Sequence, residues 1–439
     1  MLGFHHRKGR WTRRLLAGAA ALALAGPASA EEIRLLISQS PWLDAFIAMV
    51  DEYEDQSDNT IALDVTPFGG MVEKTRNSLR ADSGSYDLLA LNSAALAEFY
   101  AGGFLQPLDA IEPGLTVPEN VLTFGDSTHW SAEKKAFDPA GQLLGLPING
   151  NVQVLYYRKD LYEAKGLKAP ETWEELEANT KALKDDKTYG FVTRGAKDSI
   201  LYNFTPYLFS NGGAFFKDPA NGDYSVVLNN AQGLEALETY MRLAKESGVE
   251  NPGAVAQAEL IQLLATGRAA QAIGVIAAYA SLNDPSNSIV AGKIGTALIP
   301  AKAGESHSSA AGHWMASIPR NVPAEKQAAA LHFLKWFVTR DAQIDYVAAG
   351  GVPVRSDLAD AFEGDETFDF LPAFSANAAV SQMNMPLVEG IELKDVISLE
   401  LNRALIGEIS AKDALNSAAQ KANDVLVKAG YTVTPPGQL

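Results

Sequence analysis

The sequence predicts an α/β fold of two lobes with a ligand cleft between them, and three observations carry that expectation. Strands and amphipathic helices alternate from residue 32 to residue 91, the pattern of a mostly parallel sheet covered on both faces. The same alternation restarts beyond residue 151. Between the two runs, Asn149-Gly150-Asn151 joins the apolar, β-rich stretches 142–148 and 152–158. Three small or amide residues make poor core material there. They suit a hinge whose carboxamides, each both donor and acceptor, face a cleft.

Residues 1–30 stand apart from that fold. Arg7, Lys8, Arg10, Arg13 and Arg14 precede an apolar run over 15–26 that is too short to span a membrane, and Ala28-Ser29-Ala30 fits a small-residue cleavage site. Together these read as an export signal. Thr12-Arg13-Arg14-Leu15-Leu16 resembles a twin-arginine signal, with general secretion the alternative. No later segment has eighteen uncharged apolar residues in succession, so the mature chain is expected to be soluble outside the cytoplasm.

A chain of 439 residues fits two or three domains, and 47% hydrophobic with 20% charged residues is the content of a globular protein. There is no cysteine. That excludes disulfides and thiolate metal sites, and it removes the cysteine that would carry a lipid anchor, so free diffusion in the periplasm is expected. The net charge is −17, and without the five leader bases the remainder carries −22. Nucleic acid and anionic lipid need clustered Lys and Arg, so neither is an expected partner. Acidity of this size serves solubility.

In chain order, 32–38 reads as a strand. Ser40-Pro41 opens a helix with Trp42, Phe46, Met49, Val50 and Tyr53 on one face. A second strand is expected over 61–66, a helix over 72–80 and a third strand over 86–91. Ligands in such sheets sit beyond the carboxyl ends of strands, which brings forward Ser40 and Trp42, Phe68-Gly69-Gly70, and Asn92-Ser93. After the joint, a helix over 160–165 stops at Gly166, and Thr172-Trp173-Glu174-Glu175 is a capping box for a helix to about residue 184. A strand over 188–193 follows. Tyr202, Asn203, Phe204 and Tyr207 lie in the segment 200–210, which ends at the Asn211-Gly212-Gly213 turn. A helix over 234–244, another over 260–265, a strand over 270–275 leading to Tyr279, and strands over 294–300 and 314–318 complete the middle of the chain. The Gly/Ser/His-rich loop between the last two could be the return crossing. Pro323 begins a helix through Val338, Gly350-Gly351-Val352-Pro353-Val354 is a turn with a short extended piece, and 393–406 and 411–428 are helical.

GLPINGNVQVLYYRKDLYEAKGL with APETWEEL, LFSNGGAFF, LLATGRAAQAI and GHWMASIPRNVPAEKQAAALHFLKWFV, in this order after an export signal, resemble the carbohydrate-type extracellular solute-binding proteins of ABC importers, the maltose-binding-protein-like group. The resemblance implies the two-lobed periplasmic binding protein fold, with several hinge crossings, a sugar in the cleft and delivery of the closed form to permease subunits at the inner membrane. The lobes are expected to comprise 31–148 plus 312–354 and 149–311 plus 355–439. The resemblance places Asn151 and Asn92 at polar ligand positions, Tyr202 at a sugar-stacking position and Trp314 on the return crossing. Two departures point away from long maltodextrins. Ala277 stands where the family pattern has a tryptophan, leaving Tyr279 as the nearest aromatic, and the region around Leu393 and Lys394 lacks the aromatic that closes over oligosaccharides. A neutral monosaccharide, disaccharide, polyol or glycoside is the expected ligand, held by a monomer without a cofactor.

A sugar ring has an apolar face and an equator of hydroxyls, so its site needs flat aromatic surface together with paired donors and acceptors. Trp42, Phe68, Tyr202, Tyr279 and Trp314 are the flat candidates, and Ser40, Asn92, Asn149, Asn151 and Asn203 the polar ones. Trp42 also lies on the core face of its helix. Arg355 follows the second Gly-rich turn and could reach the cleft or make a surface pair. Two other readings remain. A charged ligand such as a sugar phosphate or polyamine would be favoured by two cations converging in the cleft, with Arg194 and Arg355 the nearest. An exported glycoside-active enzyme would need a carboxylate pair. No G-x-S-x-G, H-E-x-x-H or Walker motif is present, and His307 and His313, six residues apart in a loop, do not have metal-ligand spacing.

Overall fold

The computed structural model describes residues 30–439; the expected export signal lies outside them except for Ala30. One sheet has five strands in the spatial order Thr60–Thr66, Glu32–Ser38, Leu88–Asn92, Trp314–Ser317, Leu146–Asn149. Glu32–Ser38 is parallel to both neighbours, and Trp314–Ser317 runs against the strands on either side of it. The strand at 314 inserts beside Leu88–Asn92, so this lobe is assembled from two distant pieces of chain. Its central residues Leu88, Leu89, Ala90 and Leu91 are fully buried, as expected of a strand covered on both faces.

The Leu43–Gln56 helix covers one face with the stripe read from sequence, Phe46, Met49, Val50 and Tyr53. Phe46 and Tyr53 meet Phe333 of the Ala324–Phe337 helix edge to face at 6.0 and 5.1 Å. The Phe68–Arg80 helix begins four residues before its expected start. Pro67 precedes it with an extended backbone, the Met71 amide donates to the Pro67 carbonyl, and Gly69-Gly70 fills the first turn instead of a loop.

In the second lobe Gln153–Arg158 is the middle strand, antiparallel to Gln271–Val275 on one side and Ile294–Ala297 on the other. Residues 188–193 do not form the strand expected of them. They make two isolated parallel bridges, Tyr189 with Ala269 and Val192 with Ala272 of the Gln271–Val275 strand, and Gly190 between them donates instead to the Ser247 carbonyl. The core here is aromatic. Trp173 stacks on Tyr207 at 4.1 Å and 9°, and its indole N–H donates to Ser210 Oγ at 3.1 Å. The helices Gly390–Leu405 and Ala411–Lys428 close this core, burying Leu393, Leu401, Leu415 and Leu426. Sequence periodicity did not reveal the short Arg340–Ala348 and Leu371–Ala379 helices or the Phe216–Asp218/Asp223–Val226 hairpin.

The capping box is formed in full. Thr172 Oγ1 accepts from the Glu175 amide at 3.2 Å, and Glu175 returns the bond to the Thr172 amide at 3.3 Å. Thr172→Ala is expected to cost about 1 kcal/mol, read as a lower midpoint in urea with an unchanged denaturant slope.

Three stretches cross between the lobes side by side. Val152 bridges Ala311, the Gly312 amide donates to the Asn151 carbonyl at 2.9 Å, and the Gly150 amide donates to the Val352 carbonyl at 3.3 Å. Gly150 has no alternative: a side chain there would run into the Pro353 carbonyl.

Candidate functional site

Beside these crossings, between the lobes, lies a cavity of about 240 Å³. The first lobe supplies one wall from the ends of its strands. Ser40 and Trp42 follow the first strand, Phe68 follows the second and Asn92 closes the third. Trp314 starts the antiparallel strand opposite Asn92 and so arrives at the same edge. The three rings form a continuous wall, with Trp314 edge-on to Trp42 at 5.6 Å and to Phe68 at 6.2 Å. Asn92 is held by its own turn, accepting from the Ala94 amide at 3.1 Å and donating to the Gly312 carbonyl at 3.4 Å.

The second lobe supplies the opposite wall: Arg194, Asp198, Tyr202, Gln257 and Lys394. Tyr202 donates to the Ala310 carbonyl at 3.2 Å, and its ring lies 4.9 Å from the Arg194 guanidinium carbon, a cation–π contact. Arg194 Nε donates to Asn203 Oδ1 at 2.6 Å and Nη1 to Gln257 Oε1 at 3.0 Å. Asn203 is itself fixed, accepting from Gln153 at 2.8 Å and donating to the Ile273 carbonyl at 3.0 Å and Thr193 at 3.3 Å. Burial lowers the Arg194 pKa. It also lowers that of Lys394, with Asp395 and Asp198 acting in the opposite sense and Arg194 adding to the fall. Asn151 forms the floor with Gly312, accepting from the Ala277 amide at 3.3 Å.

Seven of the ten residues expected from sequence therefore meet in one cavity: Ser40, Trp42, Phe68, Asn92, Asn151, Tyr202 and Trp314. Three do not. Asn149 is buried behind the crossing, where it donates to Tyr346 Oη at 2.9 Å and accepts the Asn151 amide at 3.1 Å, so its carboxamide shapes the joint and does not line the cavity. Tyr279 packs on Phe370 at 4.8 Å, against a segment whose structure the sequence did not disclose. Arg355 is engaged by Asp357 at 2.8 and 2.6 Å and by the Val338 carbonyl at 3.0 Å. Asn203 lies beneath the wall and positions Arg194. Gln39, Asp198, Gln257 and Lys394 also line the cavity and were not singled out in the sequence.

His313, on the return crossing, is fully buried and stacked on Phe124 at 4.7 Å, and burial holds its pKa down to about 3. The imidazole is neutral and adds no charge to the cleft. A larger open groove of about 1270 Å³ meets the cavity at Ala311 and Asn384 and runs between residues 124–139 and 209–224. Its lysines are already paired, Lys134 with Asp138 and Lys217 with Asp223. The smaller cavity, where Trp42, Phe68 and Trp314 stand across from Arg194, Tyr202 and Lys394 beside the crossings, is the candidate binding site.

Two lobes, adjacent crossings and a polar-and-aromatic cavity between them define a receptor for a small solute. The chain belongs to the bacterial extracellular solute-binding protein family, whose model matches residues 48–376. It is 26% identical over 260 residues to a binding protein of Brucella abortus, an alignment covering 57% of this chain and 58% of that one, so the match spans little more than half of the relative's length. It is 23% identical over 391 residues to the mannitol-binding protein of Pseudomonas aeruginosa, covering 82% and 84% of the two chains. Among solved structures, maltose-bound MalE3 of T. maritima superposes with a TM-score of 0.78 at 23% identity over 90% of this chain and 100% of the other. A ribitol-bound ABC transporter solute-binding protein of Agrobacterium radiobacter K84 does so with a TM-score of 0.78 at 22% identity over 91% and 100%. These likenesses establish the two-lobed fold. The relatives are binding proteins of transport systems, and no helix among the described residues is long and apolar enough to cross a membrane.

Proposed function

We propose that this chain is the substrate-binding component of an ABC import system and that it closes on a small sugar or polyol. The observation that carries the reading is the cavity's two unlike walls, rings of Trp42, Phe68 and Trp314 on one side and hydrogen-bonding groups of the second lobe on the other. An apolar sugar face with a hydroxyl rim needs that division. At about 240 Å³ the cavity is below the roughly 300–1,000 Å³ of drug-sized sites, which suits one ring or a linear polyol better than an oligosaccharide. The mannitol-binding relative and the ribitol-bound neighbour support the same class.

The lobes are proposed to comprise 31–148 plus 312–354 and 149–311 plus 355–439, and Leu122 donating to the Val354 carbonyl supports joining 312–354 to the first lobe. Ser40, Trp42, Phe68, Asn92, Asn151, Tyr202 and Trp314 form the ligand set. The chain works as an unanchored periplasmic monomer that presents its closed form to the permease. It binds without catalysis: Asp198 is the only carboxylate among the cavity's lining residues, whereas glycoside hydrolysis commonly uses two.

The test is calorimetric titration and thermal shift of the mature chain with ribitol, D-mannitol, D-tagatose and maltose. Micromolar or tighter binding of one of the three single-unit compounds, exceeding that of maltose, is the expected result. No binding by any of the four would overturn the reading.

A further inference from the structure

The second lobe's wall carries more positive charge than a neutral ligand needs. Arg194 is 5% exposed, and no carboxylate among the described residues lies within ion-pair distance of it. Its Nε and Nη1 are satisfied by neutral amides, while Nη2 is buried without a partner. Half-buried Lys394, from the Gly390–Leu405 helix, reaches the same cavity and has no ion pair or hydrogen bond among the described residues. Asp198 is the single opposing charge in the lining, and it accepts a bond from Ser199 Oγ at 2.6 Å. Two cations against one carboxylate leave the cavity positive in a chain whose net charge is −17.

Burying a guanidinium without a counter-charge costs several kcal/mol, which neutral amides offset only in part. The other buried arginine among the described residues, Arg158, has the Asp160 carboxylate beside it at 2.7 Å. Arg194 is held by Asn203 and Gln257 and packs on the Tyr202 ring, and the residue lines the cavity between the lobes with Nη2 unpartnered. A planar donor fork held in this way matches an oxyanion, and an ammonium alongside adds a point charge.

We infer that the ligand is a sugar or polyol bearing one oxyanion group, a carboxylate or a phosphate ester, seated between Arg194 and Lys394 with its carbon chain against Trp314. This rests on the sugar or polyol reading above and adds the acidic group to it. The rings of the first lobe take the carbon chain, and the cations of the second take the charge, so the ligand's two ends tie the lobes together.

Paired probes test it: D-gluconate against D-glucitol, D-glucuronate against D-glucose, and D-mannitol 1-phosphate against D-mannitol, each by thermal shift and calorimetry at fixed ionic strength. The expected result is that the acid of at least one pair binds ten-fold or more tightly than its neutral partner. The carboxylate and phosphate pairs distinguish the two sources. Lys394→Gln is expected to lower the acid's affinity ten-fold or more, with Lys394→Arg restoring part of it. Since the Lys394 side chain makes no hydrogen bond or ion pair among the described residues, this variant remains informative if Arg194→Gln does not fold. Neutral members binding as well as the acids, or Lys394→Gln leaving the acid's affinity intact, would overturn the inference while the sugar or polyol reading stands. Silence from all six compounds overturns the inference, and the sugar or polyol reading falls with it only if ribitol, D-tagatose and maltose are silent as well.

Discussion

Trp314→Ala is expected to weaken ligand binding at least 100-fold and to lower the stability of the unliganded chain by about 3–5 kcal/mol, the usual cost of truncating a buried tryptophan. Both effects have one cause. The indole is 6% exposed and stands edge-on to Trp42 and Phe68, so it is at once the middle of the aromatic wall and the packing that keeps its neighbours in place. A 100-fold change in Kd corresponds to about 2.8 kcal/mol, within reach of one lost ring together with displacement of the two beside it. Trp314→Phe separates the contributions, since it keeps a flat face but fills less space. It should recover most of the stability and part of the affinity. Wild-type affinity in a folded Trp314→Ala chain would remove the aromatic wall from the account.

Asn203→Leu should be nearly as damaging although the residue does not line the cavity. The side chains are of similar size, so packing is preserved while the hydrogen bonds are lost. Arg194 Nε, Gln153 Nε2 and the Ile273 carbonyl lose their partner in the interior, while Thr193 Oγ1 keeps Tyr240. An unsatisfied buried polar group costs about 1–3 kcal/mol and a charged one more, so a total of about 3–5 kcal/mol is expected. Ligand affinity should fall as well, because Arg194 loses its rear clamp. Asn203→Asp keeps the acceptor and adds a counter-charge. It should restore much of the fold's stability while weakening binding, because the guanidinium would then be neutralised from inside. Unchanged melting of Asn203→Leu would mean that the network does not position Arg194.

Trp42, Phe68 and Asn92 could be placed at the cavity's edge because strand ends in an α/β sheet point to a common edge, and the period of the apolar residues located those ends; Trp314 came from the family resemblance and its place on the return crossing. Asn151 was legible because a small, polar dipeptide step between two β-rich runs has few structural uses. Asn149 shows the limit of that argument: it is two residues away, with the same side chain, and it faces Tyr346 instead. Which of two neighbouring amides lines a cavity depends on the crossing behind them, supplied by residues about two hundred positions later.

The charged residues divide differently. Arg355 has Asp357 two residues away and is paired with it in the fold. Arg194 has no acid within three residues on either side and remains unpaired, a local contrast that could have ranked them from sequence. Lys394 could not have been found in this way. A lysine near the start of an amphipathic helix has the pattern of a solvated one, and it reaches the cleft only because the Gly390–Leu405 helix packs against Ile200–Ser210. Tyr279 was misplaced for a related reason, since Phe370, which covers it, lies in a segment without a clear period.

On the proposed reading, the three crossings form a joint that ligand in the cavity closes. The chain has no cysteine, so two introduced thiols are unique labelling sites. Lys134→Cys and Ala220→Cys place them on exposed positions of the groove's opposite walls, one in each proposed lobe. The distance between labels, followed by single-molecule energy transfer while a ligand shown by calorimetry to bind is titrated in, should shift to one shorter, narrower population with the same midpoint as binding. An inter-label distance that does not move at saturating ligand would contradict the hinge and the closure built on it.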